Sequence, residues 1–75
     1  MDITEKIYDA CIGKDVSECE NILKEFGSTK FVDEKIDDGN DDGGYVMMRS
    51  YDVGELYVKL YYADSDMVVS YVDVT

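Results

Sequence analysis

Near Gly27 the spacing of apolar residues along the chain shifts from about four to about two, so a single secondary-structure type cannot serve both parts. Upstream, Ile3, Ile7, Ala10 and Cys11 share one side of a helix of about three turns, which Gly13 ends. Asp15 followed by Glu18 fits a capping box with Asp in place of Ser or Thr. Val16, Cys19, Ile22, Leu23 and Phe26 then form a second stripe that stops at Gly27. Helices this short do not persist alone in water, so both must lay their stripes on a sheet. A length of 75 residues holds one domain with a small core. The reading is a single α+β domain over 1–75, with a helical part at 1–27 and a strand-rich part at 28–75 that includes an acidic loop at 37–44.

Downstream of Gly27, Lys30–Ile36 reads as a first strand anchored by Phe31 and Val32, with Asp33, Glu34 and Lys35 working against its pairing. Tyr45–Tyr51, Glu55–Ala63 and Met67–Val74 are rich in Tyr and Val. They are parted by Asp52-Val53-Gly54 and Asp64-Ser65-Asp66, which read as tight turns. The expected sheet is an antiparallel meander of three or four strands with two short N-terminal helices packed on one face. Leu56, Val58, Leu60 and Tyr62 alternate with Glu55, Tyr57, Lys59 and Tyr61, which points the first set at the helices and the second at water or a partner. In the flanking strands a one-residue change exchanges Val46 and Met48 for Tyr45, Met47 and Tyr51, so the pattern leaves their register open.

Charge adds a second constraint. Eighteen Asp and Glu face seven Lys and Arg, for a formal charge of −11 with no histidine. A charge of this size makes a small fold repel itself. Turn chemistry accounts for Asp37, Asp38, Asp41, Asp42, Asp52, Asp64 and Asp66. It does not account for the shortage of Lys and Arg on helix surfaces and strand edges, where both signs normally interleave. From Asp33 to Asp42 six acids meet one lysine, a local charge of −5. With 45% apolar residues and seven tyrosines, the chain is too hydrophobic for a disordered acidic tail.

Several chemistries are closed to such a chain. Without histidine there is no Ser-His or Cys-His pair and no imidazole base or ligand. The glycines form neither GxGxxG nor a phosphate loop, and paired carboxylates need a deep cleft that a chain this short has little volume to build. No enzymatic activity and no cofactor are expected. Asp38-Gly39-Asn40-Asp41-Asp42-Gly43 matches the first half of an EF-hand loop, but the twelfth position is Arg49 where a bidentate Glu should close the cage. A turn-rich loop without a resident metal is the expectation. Cys11 and Cys19 lack CxxC spacing and are expected as reduced, buried thiols, with a helix-to-helix disulfide as the alternative. The start of the chain has no basic n-region, and no apolar run is long enough to span a membrane, so a soluble cytoplasmic protein is expected.

Like charge opposes approach to nucleic acid and to anionic membranes. The partner that fits is a basic nucleic-acid-binding protein, whose lysine and arginine side chains normally meet phosphate and which an acidic surface reaches by electrostatic steering. Candidate contact residues are Asp37, Asp38, Asp41 and Asp42 in the acidic loop and Asp52, Glu55, Asp64 and Asp66 at the turns. Tyr45, Tyr51, Tyr57 and Tyr61 would add ring area and hydroxyl groups, unless half of them pack into the core.

In its compact acidic chain, helical start, tyrosine-bearing antiparallel sheet and Asp-rich loops, the sequence resembles the small phage-encoded anti-CRISPR proteins that mimic nucleic acid. The resemblance implies an inhibitor acting in the cytoplasm of a host bacterial cell on an RNA-guided nuclease or surveillance complex. Such an inhibitor blocks DNA or RNA access by mimicry or steric occlusion. It rests on general architecture and carries over no residue assignment. The alternative is a bacterial immunity protein or antitoxin that caps the basic active site of one cognate toxin. A third reading is an acidic assembly subunit that self-associates through a sheet edge.

Overall fold

The computed structural model describes residues 2–39 and 44–75. The chain runs α1 (Ile3–Cys11), α2 (Val16–Leu23), β1 (Thr29–Gly39), β2 (Tyr45–Val53), β3 (Leu56–Ala63) and β4 (Val69–Val74). The four strands form an antiparallel meander in the order β1-β2-β3-β4, and the two helices cover part of one face.

Each helix begins on an aspartate. The Asp2 carboxylate accepts from the Thr4 N–H, and the Asp15 carboxylate accepts from both the N–H (2.9 Å) and the hydroxyl (2.6 Å) of Ser17. Helix α2 stops at Leu23, short of the end of its apolar stripe. Tighter bonds, Glu25 N–H to Ile22 O and Phe26 N–H to Leu23 O, carry the chain on to Gly27 while Phe26 still packs on the core. Gly27 then passes so close to the β2–β3 turn that a Cβ there would sit 3.3 Å from the Gly54 nitrogen.

That turn sets the register of the sheet. Asp52 and Val53 belong to β2, and the turn is Gly54-Glu55, with Gly54 at φ +61°. Val53 therefore faces Leu56, Tyr51 faces Val58 and Met47 faces Tyr62. Tyr51 points at the helices and is completely buried, so it is one of the tyrosines that packs the core, an alternative the alternation left open. Strand β3 keeps the expected alternation, with Val58, Leu60 and Tyr62 buried. In β4 a bulge at Ser70 separates the pairs Tyr61–Tyr71 and Tyr62–Val69, so that Val69 and Val72 both face inward at a spacing no regular strand allows.

The core joins Ile7, Cys11, Val16, Cys19 and Leu23 from the helices to Tyr51, Val58, Leu60, Tyr62 and Val69 from the sheet. Cys11 and Cys19 are free thiols within it, and Cys19 donates to the Cys11 carbonyl at 3.3 Å. The connection between the helices closes the start of β4 through Gly13 N–H to Val69 O, Val69 N–H to Lys14 O and Val16 N–H to Met67 O. Strand β1 is longer than its apolar pattern suggests. As an edge strand with bulges at Val32 and Asp37 it leaves Asp33 and Lys35 in water and pairs Glu34 with Arg49 of β2, so their charge does not oppose pairing. From Lys30 to Asp37 no β1 residue is buried.

Candidate protein-binding surface

Because α1 packs on β4, the helical layer ends before it reaches β1. Cross-strand partners share a face, so the pairs Phe31–Tyr51 and Ile36–Met47 place Phe31 and Ile36 on the same side of the sheet as the helices. Phe31 lays its ring edge-on against Tyr51 at 5.7 Å between centroids. No helix covers either residue. Phe31 is 51% exposed and Ile36 58% exposed, and Tyr45, on the same face of β2, is 48% exposed. The result is an apolar shelf on the β1–β2 side, continuous with the core through Tyr51 and Met47.

A polar group crosses this shelf. The Glu34 carboxylate accepts from Arg49 and from the Tyr62 hydroxyl, while the Arg49 guanidinium lies over the Tyr62 ring at 5.4 Å. The Tyr62 and Arg49 hydrogen bonds hold Glu34 below the usual carboxylate range. Burial is the largest single influence on Arg49 and opposes its charge, but the Glu34 hydrogen bond together with the fields of Tyr62 and Glu34 outweighs it and raises the guanidinium further. Burial and the hydrogen bond to Glu34 push Tyr62 up to about 12. Nearby, the Tyr51 hydroxyl reaches Glu20 at 3.4 Å. The shelf's cation is therefore committed to a carboxylate, and among the described residues no other carboxylate forms an ion pair.

Around the shelf the predicted contact residues separate into two groups. At one end of the sheet, Tyr45 meets the β3–β4 turn: its N–H donates to the Asp64 carboxylate at 3.2 Å and its carbonyl accepts from the Asp64 N–H at 3.0 Å. Asp37 and the backbone of Asp38 lie at this end on β1, and Asp66 sits in the same turn as Asp64, its carboxylate accepting from the Val68 N–H. Asp41 and Asp42, and with them the EF-hand-like loop, lie outside the described residues. Asp52, Glu55 and Tyr57 are at the far end, about 20 Å away by the length of β3. The molecule does not assemble all twelve into one surface, because a meander sends alternate turns to opposite ends.

On the side of the sheet away from the helices, Tyr61 stands between the charges of Asp37 and Asp73, and burial followed by those two fields raises its hydroxyl pKa. Tyr61 packs on Tyr71 at 5.7 Å, and Lys59 lies over the Tyr57 ring at 5.7 Å. This face is half-closed rather than bare, since Met48 and Ser50 are buried beneath it. Three lysines, Lys30, Lys35 and Lys59, fall on it by register, so its sign is mixed. The acid-only rim belongs to the Tyr45–Asp64 end.

The chain matches no protein-family model, no curated protein and no solved structure. The site thus stands on its geometry. Among the described residues no three metal-ligating side chains converge, and no helix is long and apolar enough to cross a membrane. Sequence reasoning treated Phe31 as a strand anchor and passed over Ile36. The signal for both was an apolar residue set among charges on a strand at the sheet margin, which is the composition of a one-sided edge. The Glu34–Arg49 contact had no local signal, because it joins residues fifteen apart.

Proposed function

We propose that the protein is an acidic inhibitor that seats its β1–β2 side in the cationic groove of a nucleic-acid-binding protein and excludes DNA or RNA by occupying it. A guide-loaded CRISPR effector is the target class that the resemblance of the chain favours. The observation that carries the reading is the shelf of Phe31, Ile36 and Tyr45, left open by the helices and bordered at its Tyr45 end by Asp64. An apolar centre with a charged margin is the anatomy of a protein interface, and aromatic side chains supply its anchoring area. The net charge of −11 supplies long-range attraction to a basic groove. The same charge opposes self-association, and the two β1 bulges blunt the edge that an assembly subunit would use.

The test is competition between this protein and a fluorescent target duplex for a guide-loaded effector, followed by stopped flow. The protein should displace the duplex, and less so as NaCl rises. Asp37→Lys combined with Asp64→Lys should slow association by about tenfold with little change in dissociation, whereas Ile36→Ser should mainly speed dissociation. Binding that leaves duplex occupancy unchanged would overturn the reading, and tight capture of a single nuclease toxin in its place would establish the immunity-protein alternative.

A further inference from the structure

A second concave feature lies on the opposite side of the molecule, between the exposed flank of α1 and the β4 edge. It is a cleft of about 350 Å³ lined by Thr4, Glu5, Tyr8, Asp9, Tyr71 and Val72. Ile7 and Cys11 turn toward the core, which leaves Tyr8 and the two carboxylates on the next face of the helix. Tyr71, on the edge strand β4, also lines the cleft, and its ring packs edge-on against Tyr8 at 6.1 Å. Among the described residues no hydrogen bond or ion pair engages the side chain of Glu5, Tyr8, Asp9 or Tyr71.

Asp9 is costly where it stands, while Glu5 sits in the first turn of α1, where the helix dipole favours it. Glu5 and Asp9 are four apart on one helix, a spacing at which like charges repel. Asp9 lies near the C-terminal end of α1, where the helix dipole is negative and no basic residue occupies the last turn. Folding alone would replace at least one of them. Two tyrosine rings and two uncompensated carboxylates around one cleft suit a flat cation that both stacks and donates several hydrogen bonds. A guanidinium has those properties; an ammonium offers only a compact point charge. We infer that this cleft receives the guanidinium of an arginine side chain, as a contact point separate from the β1–β2 shelf and independent of what the shelf binds.

The probe is N-acetyl-arginine amide, titrated into the isotopically labelled full chain, with the N-acetyl-lysine and N-acetyl-citrulline amides as cationic and neutral controls. An arginine-containing tripeptide serves as a further arm, to separate a protein-borne guanidinium from the free amino acid. Arginine should shift the amide signals of residues 4–9 and 71–72, lysine less, and citrulline not at all, and the tripeptide should bind at least as tightly as the free amide. Glu5→Gln with Asp9→Asn should abolish the response, and Asp9→Asn alone should weaken it while raising Tm, since it relieves repulsion at the C-terminal end of α1. Equal shifts with citrulline or with lysine, shifts spread evenly over the acidic surface, or an undiminished response in the double variant would each overturn the assignment. None of these readouts depends on the competition experiment, so either proposal can fail alone.

Discussion

Glu34 accepts hydrogen bonds from Arg49 and Tyr62, and those contacts make it a group whose charge the folded state favours. Its folded pKa lies below the unfolded value, so its contribution is full above about pH 4.3 and is lost as pH falls through the depressed folded value. Glu34→Gln should therefore lower stability by about 1 kcal/mol at neutral pH, a figure discounted for the partial exposure of the carboxylate. The melting curves of the variant and the parent should converge once the pH has fallen below the depressed folded pKa of Glu34. A gap in Tm that persists at that pH, measured by calorimetry, would show that the contact is steric rather than ionic. In the sequence Arg49 is legible only as the residue that spoils an EF-hand loop. Its pairing with Glu34 needs the β1–β2 register, which local pattern does not contain.

Among the elements, the β2–β3 hairpin decides most. Gly54 occupies the left-handed region at φ +61°, and its N–H donates to the Ser28 carbonyl at 2.8 Å, tying the turn to the chain that enters β1. No side chain would crowd a Cβ at Gly54, so Gly54→Ala should cost only the backbone strain, about 1–2 kcal/mol, read as a lower midpoint in urea with unchanged slope. Gly27→Ala should be harder to accommodate, because its Cβ would press on the Gly54 backbone at 3.3 Å, and the combined variant should deviate from additivity. The existence and type of both helices and of the three Tyr- and Val-rich strands were legible from periodicity. The position of the turn within Asp52–Glu55 was not, and with it went the burial of Tyr51. Asp52-Val53-Gly54 and Gly54-Glu55 both contain the Gly54 that a tight turn needs, and the register of β2 on β3 separates them.

For the whole molecule, −11 on 75 residues means that the folded state works against its own field. Screening should relieve it: Tm at neutral pH should rise with NaCl up to about 0.5 M, where the Debye length falls to roughly 4 Å. A flat or falling response would show that the carboxylates are locally compensated. The charge balance, the two-part architecture, the absence of histidine chemistry and the alternation in β3 were properties of residue order, because each depends on composition or on contacts along one element. How far two short helices extend over a four-stranded sheet was decided only in three dimensions, as were the bulge that turns both Val69 and Val72 inward and those that blunt β1. The open shelf at Phe31 and Ile36 and the carboxylate-lined cleft beside α1 follow from that coverage. Both arise between elements distant in the chain, where no periodicity records which face is left bare.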